Sequence, residues 1–181
     1  RCLTERLIKN VGTLVEDALT TLGEAYEIIE EEGPMEGGGH TVARRLRNFG
    51  EGGRTVFCLW AGQGPLRYLV KKKGAASTGG SSGEEAVASL DVTCLHFDIL
   101  DGALAASHDE SNIDFTPDPE RALAAVRSGK CAVALLLNPT PVEAVVRIAK
   151  AGDKMPHKST YFFPKVRTGL VSHPFAPPAM G

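Results

Sequence analysis

The sequence predicts an α/β or α+β fold in which a mixed β-sheet is covered by helices. Apolar runs typical of strands alternate with segments whose apolar residues recur at helical spacing. An early pair of strand-like segments is separated by a short turn, which predicts a β-hairpin. The later part alternates between strand and helix. A chain of 181 residues, 43% of them hydrophobic, is long enough for a single domain with its own core.

The first half is predicted to begin with helix and to continue with strands. Residues 2–22 carry apolar side chains near a 3.6-residue period, which predicts one or two helices. Residues 25–32 (AYEIIEEE) predict a strand. Thr41 is placed to cap a short helix that ends at Gly50. The segments RTVFCLWAG and LRYLVKKK, separated by GQGP, predict the hairpin.

The second half is predicted to alternate helix and strand after a surface loop at residues 74–85. EEAVASLDVTCLHFDILDGAL predicts one helix of four or more turns. NIDFT and the very apolar CAVALLLN predict strands, the latter central, with the helix PDPERALAAVRSG between them. The segment TPVEAVVRIAKAG predicts a helix with Thr140 as N-cap, Pro141 first and Glu143 completing a capping box. TGLVSHPF predicts a last strand, and residues 176–181 a frayed tail.

Composition restricts the classes of function. A formal net charge of −2 argues against a general binder of nucleic acid, and no apolar run approaches the ~20 residues that span a bilayer. Four cysteines (Cys2, Cys58, Cys94 and Cys131) show no short pairing, so we expect buried free thiols and a cytoplasmic location. The chain starts without methionine and enters a helical pattern at once, which predicts a fragment of a longer protein.

The stretch KMPHKSTYFFPK, residues 154–165, is the main candidate site. Its cations could neutralise a phosphate or carboxylate, and its hydroxyl groups could donate hydrogen bonds to the same oxygens. The residues that fit an anionic ligand, including Arg167 just beyond the stretch, are His157, Lys158, Ser159, Thr160, Lys165 and Arg167. The alternative is a structural connection in which Tyr161, Phe162 and Phe163 pack inward and the cations are merely solvated. Both interpretations stay open on residue types alone.

Two other segments offer weaker candidates. GPMEGGGHTVARR could cradle a phosphate against a helix N-terminus, but a lone glycine cluster is weak evidence, and a mobile loop is the favoured interpretation. No histidine pair at i, i+4 spacing occurs among the six candidate metal ligands of the second segment, so no metal site is predicted. These candidates are His96, Asp98, Asp101, His108, Asp109 and Glu110. We expect His96 to be a satisfied helix residue and the acids to form a solvated face. No catalytic residues are assigned, because one sequence does not show which nucleophile and base meet.

The C-terminal part resembles a known family. The stretch NPTPVEAVVRIAKAGDKMPHKSTYFFPKVRTGLV is similar to the C-terminal signature of the family called domain of unknown function 1015. The positions that match are Asn138, Pro139, Thr140, Gly152, Met155, Pro156, Lys158, Ser159, Thr160, Phe162, Pro164, Lys165, Gly169 and Leu170. The order of elements upstream also fits, so that the resemblance covers most of the chain.

The resemblance implies a fragment of a larger enzyme. Members of this family carry an N-terminal half with an Asp-Gly-His-His-Arg segment that has no counterpart here. That segment is similar to the phosphate-binding segment of ParB/sulfiredoxin-like free-serine kinases. The resemblance therefore implies a phosphotransferase acting on a small hydroxy compound such as serine, using ATP or pyrophosphate with Mg in the full-length protein.

In this interpretation the chain is a C-terminal module that binds a small anionic molecule and the missing N-terminal half. No membrane and no nucleic acid is expected as a partner. The alternative that the residues leave open is a non-catalytic scaffold or interaction domain, in which the final segment only completes the sheet.

Overall fold

The computed structural model describes residues 5–75, 85–106 and 110–156. The strands are β1 (Glu5–Ile8), β2 (Tyr26–Glu31), β3 (Val56–Trp60), β4 (Leu66–Lys71), β5 (Ile113–Thr116) and β6 (Val133–Leu137). The α-helices are α1 (Val15–Leu22), α2 (Gly39–Phe49), α3 (Glu85–Ala88), α4 (Asp91–Cys94), α5 (Pro119–Arg127) and α6 (Val142–Lys150). A π-helix (Leu95–Ala103) continues α4, and a 3₁₀ turn (Glu110–Asn112) precedes β5.

The six strands form one sheet in the order β2-β4-β3-β6-β1-β5. The predicted class, an α/β fold with a sheet covered by helices, is confirmed, as is the hairpin of β3 and β4. Every strand pairing in the described residues is antiparallel, whereas a sheet of mixed direction was expected. β5 and β6 do run in the same direction, but β1 lies between them and pairs with both. The strand–helix–strand unit therefore crosses over a strand from the start of the chain.

The sheet has helices on both faces because its central strands are apolar on both sides. All five residues of β6 are buried. Alternate side chains of a strand point to opposite faces, so Val133 and Leu135 pack with α1, the π-helix and α6. Ala134 and Leu136 pack with α2 and α5. We call these two sides the α6 face and the α5 face.

The N-terminal segment differs from its prediction. Residues 2–22 were expected to be helical, but residues 5–8 form β1 and only residues 15–22 form a helix. All four residues of β1 are buried between β5 and β6. Pairing on both sides and burial on both faces outweigh the local helical spacing, which is a weak preference over so short a stretch.

The predicted helix of four or more turns after the loop is divided. α3 ends at Ala88, and Leu90 has an extended backbone (φ −71°, ψ 140°) before α4 begins. The Thr93 hydroxyl donates a 2.7 Å hydrogen bond to the Val87 carbonyl across this break. From Leu95 the helix widens to π geometry, a form that is rare and frequently marks functional sites.

Two predicted helix caps are wrong. α2 begins at Gly39, so that Thr41 lies inside the helix rather than at its start. α6 begins after Pro141, and no side chain caps it, so neither Thr140 nor a capping box starts this helix. Proline lacks an N–H and has a fixed φ, which suffices to set the entry angle of the helix.

The prediction of α5 is confirmed, whereas some of the other predictions concern residues outside the described part of the chain. α5 has Pro119 in its first turn, and the Asp118 side chain accepts a 3.0 Å hydrogen bond from the Glu120 N–H. The predicted last strand and tail, and most of the predicted loop at 74–85, fall outside the described residues. Of the helices that the structure describes, none has the length and apolar character needed to cross a membrane.

Candidate functional site

The predicted ligand-binding residues lie outside the described part of the chain. These are His157, Lys158, Ser159, Thr160, Lys165 and Arg167. The described part of the chain ends at Pro156, and the side chain of Lys154, two residues earlier, is exposed. Met155 packs against the core of the α6 face.

The described residues nevertheless form a polar cleft where α6 begins. It encloses about 570 Å³ between the C-terminal end of α2, the loop from β6 to α6, and the start of α4. Its charged and polar lining residues are Arg47, Arg54, Thr55, Ser89, Asp91, Asn138, Thr140, Glu143 and Arg147. We call this the arginine cleft.

The three arginines come from three different elements. Arg47 lies in the last turn of α2, Arg54 in the segment before β3, and Arg147 in the last turn of α6. All three side chains are exposed to solvent. Within residues 5–75, 85–106 and 110–156 none of them forms an ion pair. Their guanidinium groups thus keep their hydrogen-bond donors available to a ligand.

The floor of the cleft is held in place by Asn138. Its Nδ2 donates a 2.9 Å hydrogen bond to the Leu46 carbonyl in the last turn of α2. A Cβ atom on Gly50 would lie only 2.5 Å from this Nδ2, so glycine is required for the close approach. The contact fixes the β6–α6 loop against α2 and thereby sets the distance between the walls of the cleft.

The beginning of α6 faces this cleft without a side-chain cap. The first N–H groups of an α-helix have no partner within the helix and carry partial positive charge. Together with the arginines they give the cleft a positive character. Glu143, in the first turn of α6, is the opposing charge on the same helix.

Asp91 supplies a carboxyl group on the opposite wall. Its Oδ1 accepts a 2.7 Å hydrogen bond from the Thr55 hydroxyl. Burial raises the pKa of Asp91, and the hydrogen bond from Thr55 and the charge of Lys71 oppose this rise. The cleft therefore combines three cations with a half-buried carboxyl that binds protons more readily than an exposed one.

A second polar cluster lies behind Asp91, where β4 meets the π-helix. Lys71 Nζ is 3.0 Å from Asp98 Oδ2, and the Tyr26 hydroxyl donates a 2.6 Å hydrogen bond to the same oxygen. The side chains of Lys71 and Asp98 are only 11% and 7% exposed. Burial, followed by the contact with Asp98, raises the pKa of Tyr26. We call Tyr26, Lys71, Cys94 and Asp98 the lysine cluster.

The acids of the π-helix differ from their prediction. Asp98 is buried and paired, so the expectation of a solvated acidic face is wrong for this residue. Asp101 instead approaches His96, with 3.5 Å between Oδ2 and Nε2. The wider π turn changes which positions share a face, and helical spacing could not reveal this. Within the described residues no group of three or more potential metal ligands is found.

The glycine-rich segment is closed by a carboxylate of the protein itself. Glu120 of α5 accepts hydrogen bonds from the N–H groups of Gly37 (3.2 Å) and Gly39 (2.8 Å) at the start of α2. Arg127 holds the same loop by donating to the carbonyls of Pro34 and Met35, each at 3.3 Å. The position where a phosphate could have bound is occupied by Glu120. The structure therefore argues against a phosphate site at this helix.

A buried carboxyl that the sequence analysis missed lies under the β6–α6 loop. Glu5 in β1 is 2% exposed, and its Oε2 accepts a 3.3 Å hydrogen bond from the Leu137 N–H. Burial raises the pKa of Glu5 to about 8. No sequence signal could have revealed this group, because residues 2–22 were assigned to helix and the burial follows from the central position of β1.

Comparison with known proteins adds no relative. No protein-family model matches the sequence, no curated protein matches it, and no solved structure matches it.

Proposed function

We propose that this chain binds a small, phosphate-bearing or otherwise anionic molecule, and that the arginine cleft is the principal site. The observation that carries the proposal is the convergence of Arg47, Arg54 and Arg147 on one cleft, without ion-pair partners among the described residues. Arginine presents a planar fork of donors that matches phosphate and carboxylate oxygens.

The balance of charge in the cleft supports an anion rather than a cation. Three guanidinium groups face two carboxyl groups, Asp91 and Glu143. Because the pKa of Asp91 is raised, this carboxyl loses its negative charge at a higher pH than an exposed carboxyl does. The net charge of the cleft therefore becomes more positive as the pH falls. The partial positive charge at the start of α6 adds to the attraction.

A finer proposal is that the ligand is a substrate or phosphoryl donor of a kinase-like enzyme. Its support is the resemblance of the Met-Pro to Pro-Lys stretch to domain of unknown function 1015. In this proposal further contacts to an anionic ligand come from the residues that the sequence singles out, which are His157, Lys158, Ser159, Thr160, Lys165 and Arg167. Such transfer depends mostly on positioning and charge neutralisation, which cations and hydroxyl groups supply. An N-terminal half of the same protein would provide the remaining groups.

The proposed setting is the cytoplasm. Cys58, Cys94 and Cys131 are buried, and no disulfide joins them within the described part of the chain. Buried thiols without disulfides are typical of proteins from reducing compartments. The scaffold alternative finds support in Val142 and Val146, which are 59% and 45% exposed on α6 and could contact another protein.

Isothermal titration with inorganic phosphate, pyrophosphate and ATP tests the proposal. We expect at least one of them to bind, with an affinity that falls as the salt concentration rises. Arg147→Gln should weaken the binding about tenfold or more, because a hydrogen bond to a charged group contributes ~1.5–3 kcal/mol. Arg44→Gln is the matched control, since Arg44 is an exposed arginine of α2 that does not line the cleft.

The outcomes separate the possible sites. If none of the three anions binds, the proposal is wrong. If Lys158→Ala abolishes binding while Arg47→Gln, Arg54→Gln and Arg147→Gln leave it intact, the ligand belongs to the Lys-Ser-Thr stretch and not to the arginine cleft. Equal loss in the Arg44→Gln control would show an effect of overall charge instead of a defined site.

A further inference from the structure

Cys94 and Lys71 are in contact inside the lysine cluster. Lys71 Nζ lies 3.4 Å from Cys94 Sγ, although the two residues are 23 positions apart in the sequence. Cys94 is the last residue of α4, and Lys71 is the last residue of β4. The thiol also lies 3.8 Å from the carbonyl oxygen of Ala88, a long contact.

The lysine is held in position by its other neighbours. Asp98 Oδ2 is 3.0 Å from Nζ, and the ring of Tyr26 lies with its centroid 5.7 Å from the same nitrogen. The Tyr26 hydroxyl donates to Asp98 and so fixes the carboxylate. The amine is thereby kept beside the sulfur in a site that is largely closed to bulk water.

In the described part of the chain, neither of the other two cysteines accepts a hydrogen bond from a lysine. Cys58 is completely buried in the core of the α5 face, and burial raises its pKa well above the ordinary value. Burial also raises the pKa of Cys131. Cysteines in apolar surroundings, such as Cys58, are unreactive, whereas the sulfur of Cys94 is in contact with the nitrogen of Lys71. The thiolate is the form of cysteine that attacks peroxide.

We propose that Cys94 and Lys71 form a covalent sulfur–nitrogen bond when the protein meets a peroxide. In the first step the Cys94 thiolate attacks hydrogen peroxide, its sulfur takes one oxygen to become a sulfenic acid, and hydroxide leaves. The Lys71 ammonium gives a proton to that hydroxide, which forms water and leaves a neutral amine next to the sulfenic acid. In the second step the amine nitrogen attacks the sulfur, the S–O bond breaks, and a second water leaves.

The reaction balances with one peroxide for each crosslink. The sulfur loses two electrons, the peroxide gains them, and the thiol and amine together lose two hydrogens. Sulfenic acids are known to condense with nitrogen nucleophiles in this way, and an added thiol reverses the product by attack at sulfur. The flexible four-carbon stem of lysine allows Nζ to close the remaining distance.

The bond would join β4 to α4. Asp91 of the arginine cleft lies in the same short helix as Cys94, and the Lys71 N–H donates to the Thr55 carbonyl at 3.0 Å. The crosslink is independent of whether the cleft binds an anion. It defines an oxidative modification site, and its test requires no ligand.

The test is treatment of the purified chain with hydrogen peroxide, followed by intact mass measurement and peptide mapping. We expect a species lighter by two hydrogens, in which the peptides that contain Lys71 and Cys94 are joined. Dithiothreitol should restore the original mass. Because mapping of the wild-type chain identifies the joined residues directly, the result does not depend on the folding of any variant.

Variants confirm the assignment. Lys71→Arg keeps the positive charge beside Asp98 but has no amine that can condense, so the crosslink should be absent. Lys72→Arg is the matched control, because Lys72 donates to the Gly23 carbonyl at 2.7 Å instead of approaching Cys94, and the crosslink should persist. Oxidation of Cys94 to sulfinic or sulfonic acid without a link, a link that contains an additional oxygen, or no reaction at Cys94 would each overturn the proposal.

Discussion

Both α2 and α6 begin with backbone N–H groups that have no acceptor within the helix, and the two helix starts differ in what lies in front of these groups. Neither helix has a side-chain cap from the residue before it. At α2 a carboxylate from another helix, Glu120 of α5, accepts the free N–H groups of Gly37 and Gly39. At α6 no such side chain is present among the described residues, and the arginine cleft lies in front of the helix instead.

The difference shows that a glycine-rich loop before a helix is not sufficient evidence for a phosphate site. The glycines before α2 serve a close approach, because a Cβ on Gly39 would lie 2.6 Å from the backbone nitrogen of Glu120. The proline-containing loop before α6 has no such signature, yet it leaves the helix start accessible. Whether a helix start remains available to a ligand therefore depends on whether a side chain from elsewhere in the fold occupies it.

The largest effect on stability is expected at Glu5, which lies under the β6–α6 loop and accepts a hydrogen bond from the Leu137 N–H. Because burial raises the pKa of Glu5 from its ordinary value of 4.5 to about 8, the folded chain holds a proton that the unfolded chain releases between these values. Stability should therefore fall as the pH rises from about 4.5 to about 8. Glu5→Gln removes this ionisation and should flatten the dependence, with a gain on the order of a few kcal/mol above pH 8.

Urea unfolding of both proteins across this pH range measures the effect. The two curves should converge below pH 4.5, where Glu5 is protonated in both states. A wild-type stability that does not decrease through this window relative to Glu5→Gln would contradict the prediction.

The next effect concerns the closed helix start. Glu120→Ala removes the acceptor of two hydrogen bonds and should lower the free energy of unfolding by about 1–2 kcal/mol, as the loss of a good cap does. Denaturant unfolding with an unchanged slope would show that stability alone has changed. Glu143→Ala is the control, because this glutamate lies in the first turn of α6 and should contribute only a few tenths of a kcal/mol.

The Glu120→Ala variant should also make the start of α2 available to an anion, as the start of α6 is in the wild type. With the carboxylate gone, added phosphate should restore part of the lost stability by binding at Gly37 and Gly39. A variant as stable as the wild type would mean that Glu120 does not act as the cap.

An effect of similar size is expected at the contact that positions the arginine cleft. Gly50→Ala would place a Cβ against Asn138 Nδ2 and should cost about 1–2 kcal/mol through local overpacking. Asn138→Ala alone should also destabilise, since the hydrogen bond to Leu46 is lost. The double variant should be more stable than the sum of the single effects predicts, because the clash no longer exists. Strict additivity would show that the two residues do not interact.

Much of the fold followed from the sequence where local pattern and tertiary environment agree. The apolar run of β6, the β3–β4 hairpin and α5 with Pro119 in its first turn were all predicted correctly. β1 was missed because its four residues lie within a longer stretch of helical apolar spacing. Only the pairing with β5 and β6, which the sequence does not show, identifies them as a strand. The division of the helix after residue 85 was missed because neither the extended backbone at Leu90 nor the π geometry from Leu95 leaves a signature in apolar spacing.

The candidate site was less accessible to sequence reasoning. The arginine cleft combines Arg47, Arg54 and Arg147 from separate elements, and only the antiparallel order of the sheet brings these elements together. The Lys71–Asp98 pair likewise joins a strand to a π-helix. The stretch that the sequence did single out, residues 157–167, lies beyond the described residues, so its role stays a prediction.

The position of β1 also has a consequence for synthesis on the ribosome. β1 precedes the other described strands along the chain, but its partners β5 and β6 emerge more than a hundred residues later, as the pairings of Ile8 with Ile113 and Val133 show. At ~5–20 residues per second, the nascent chain spends several seconds with this strand unpaired. The centre of the sheet can close only when nearly the whole described chain has left the exit tunnel, so a chaperone that covers residues 5–8 during this interval would assist folding.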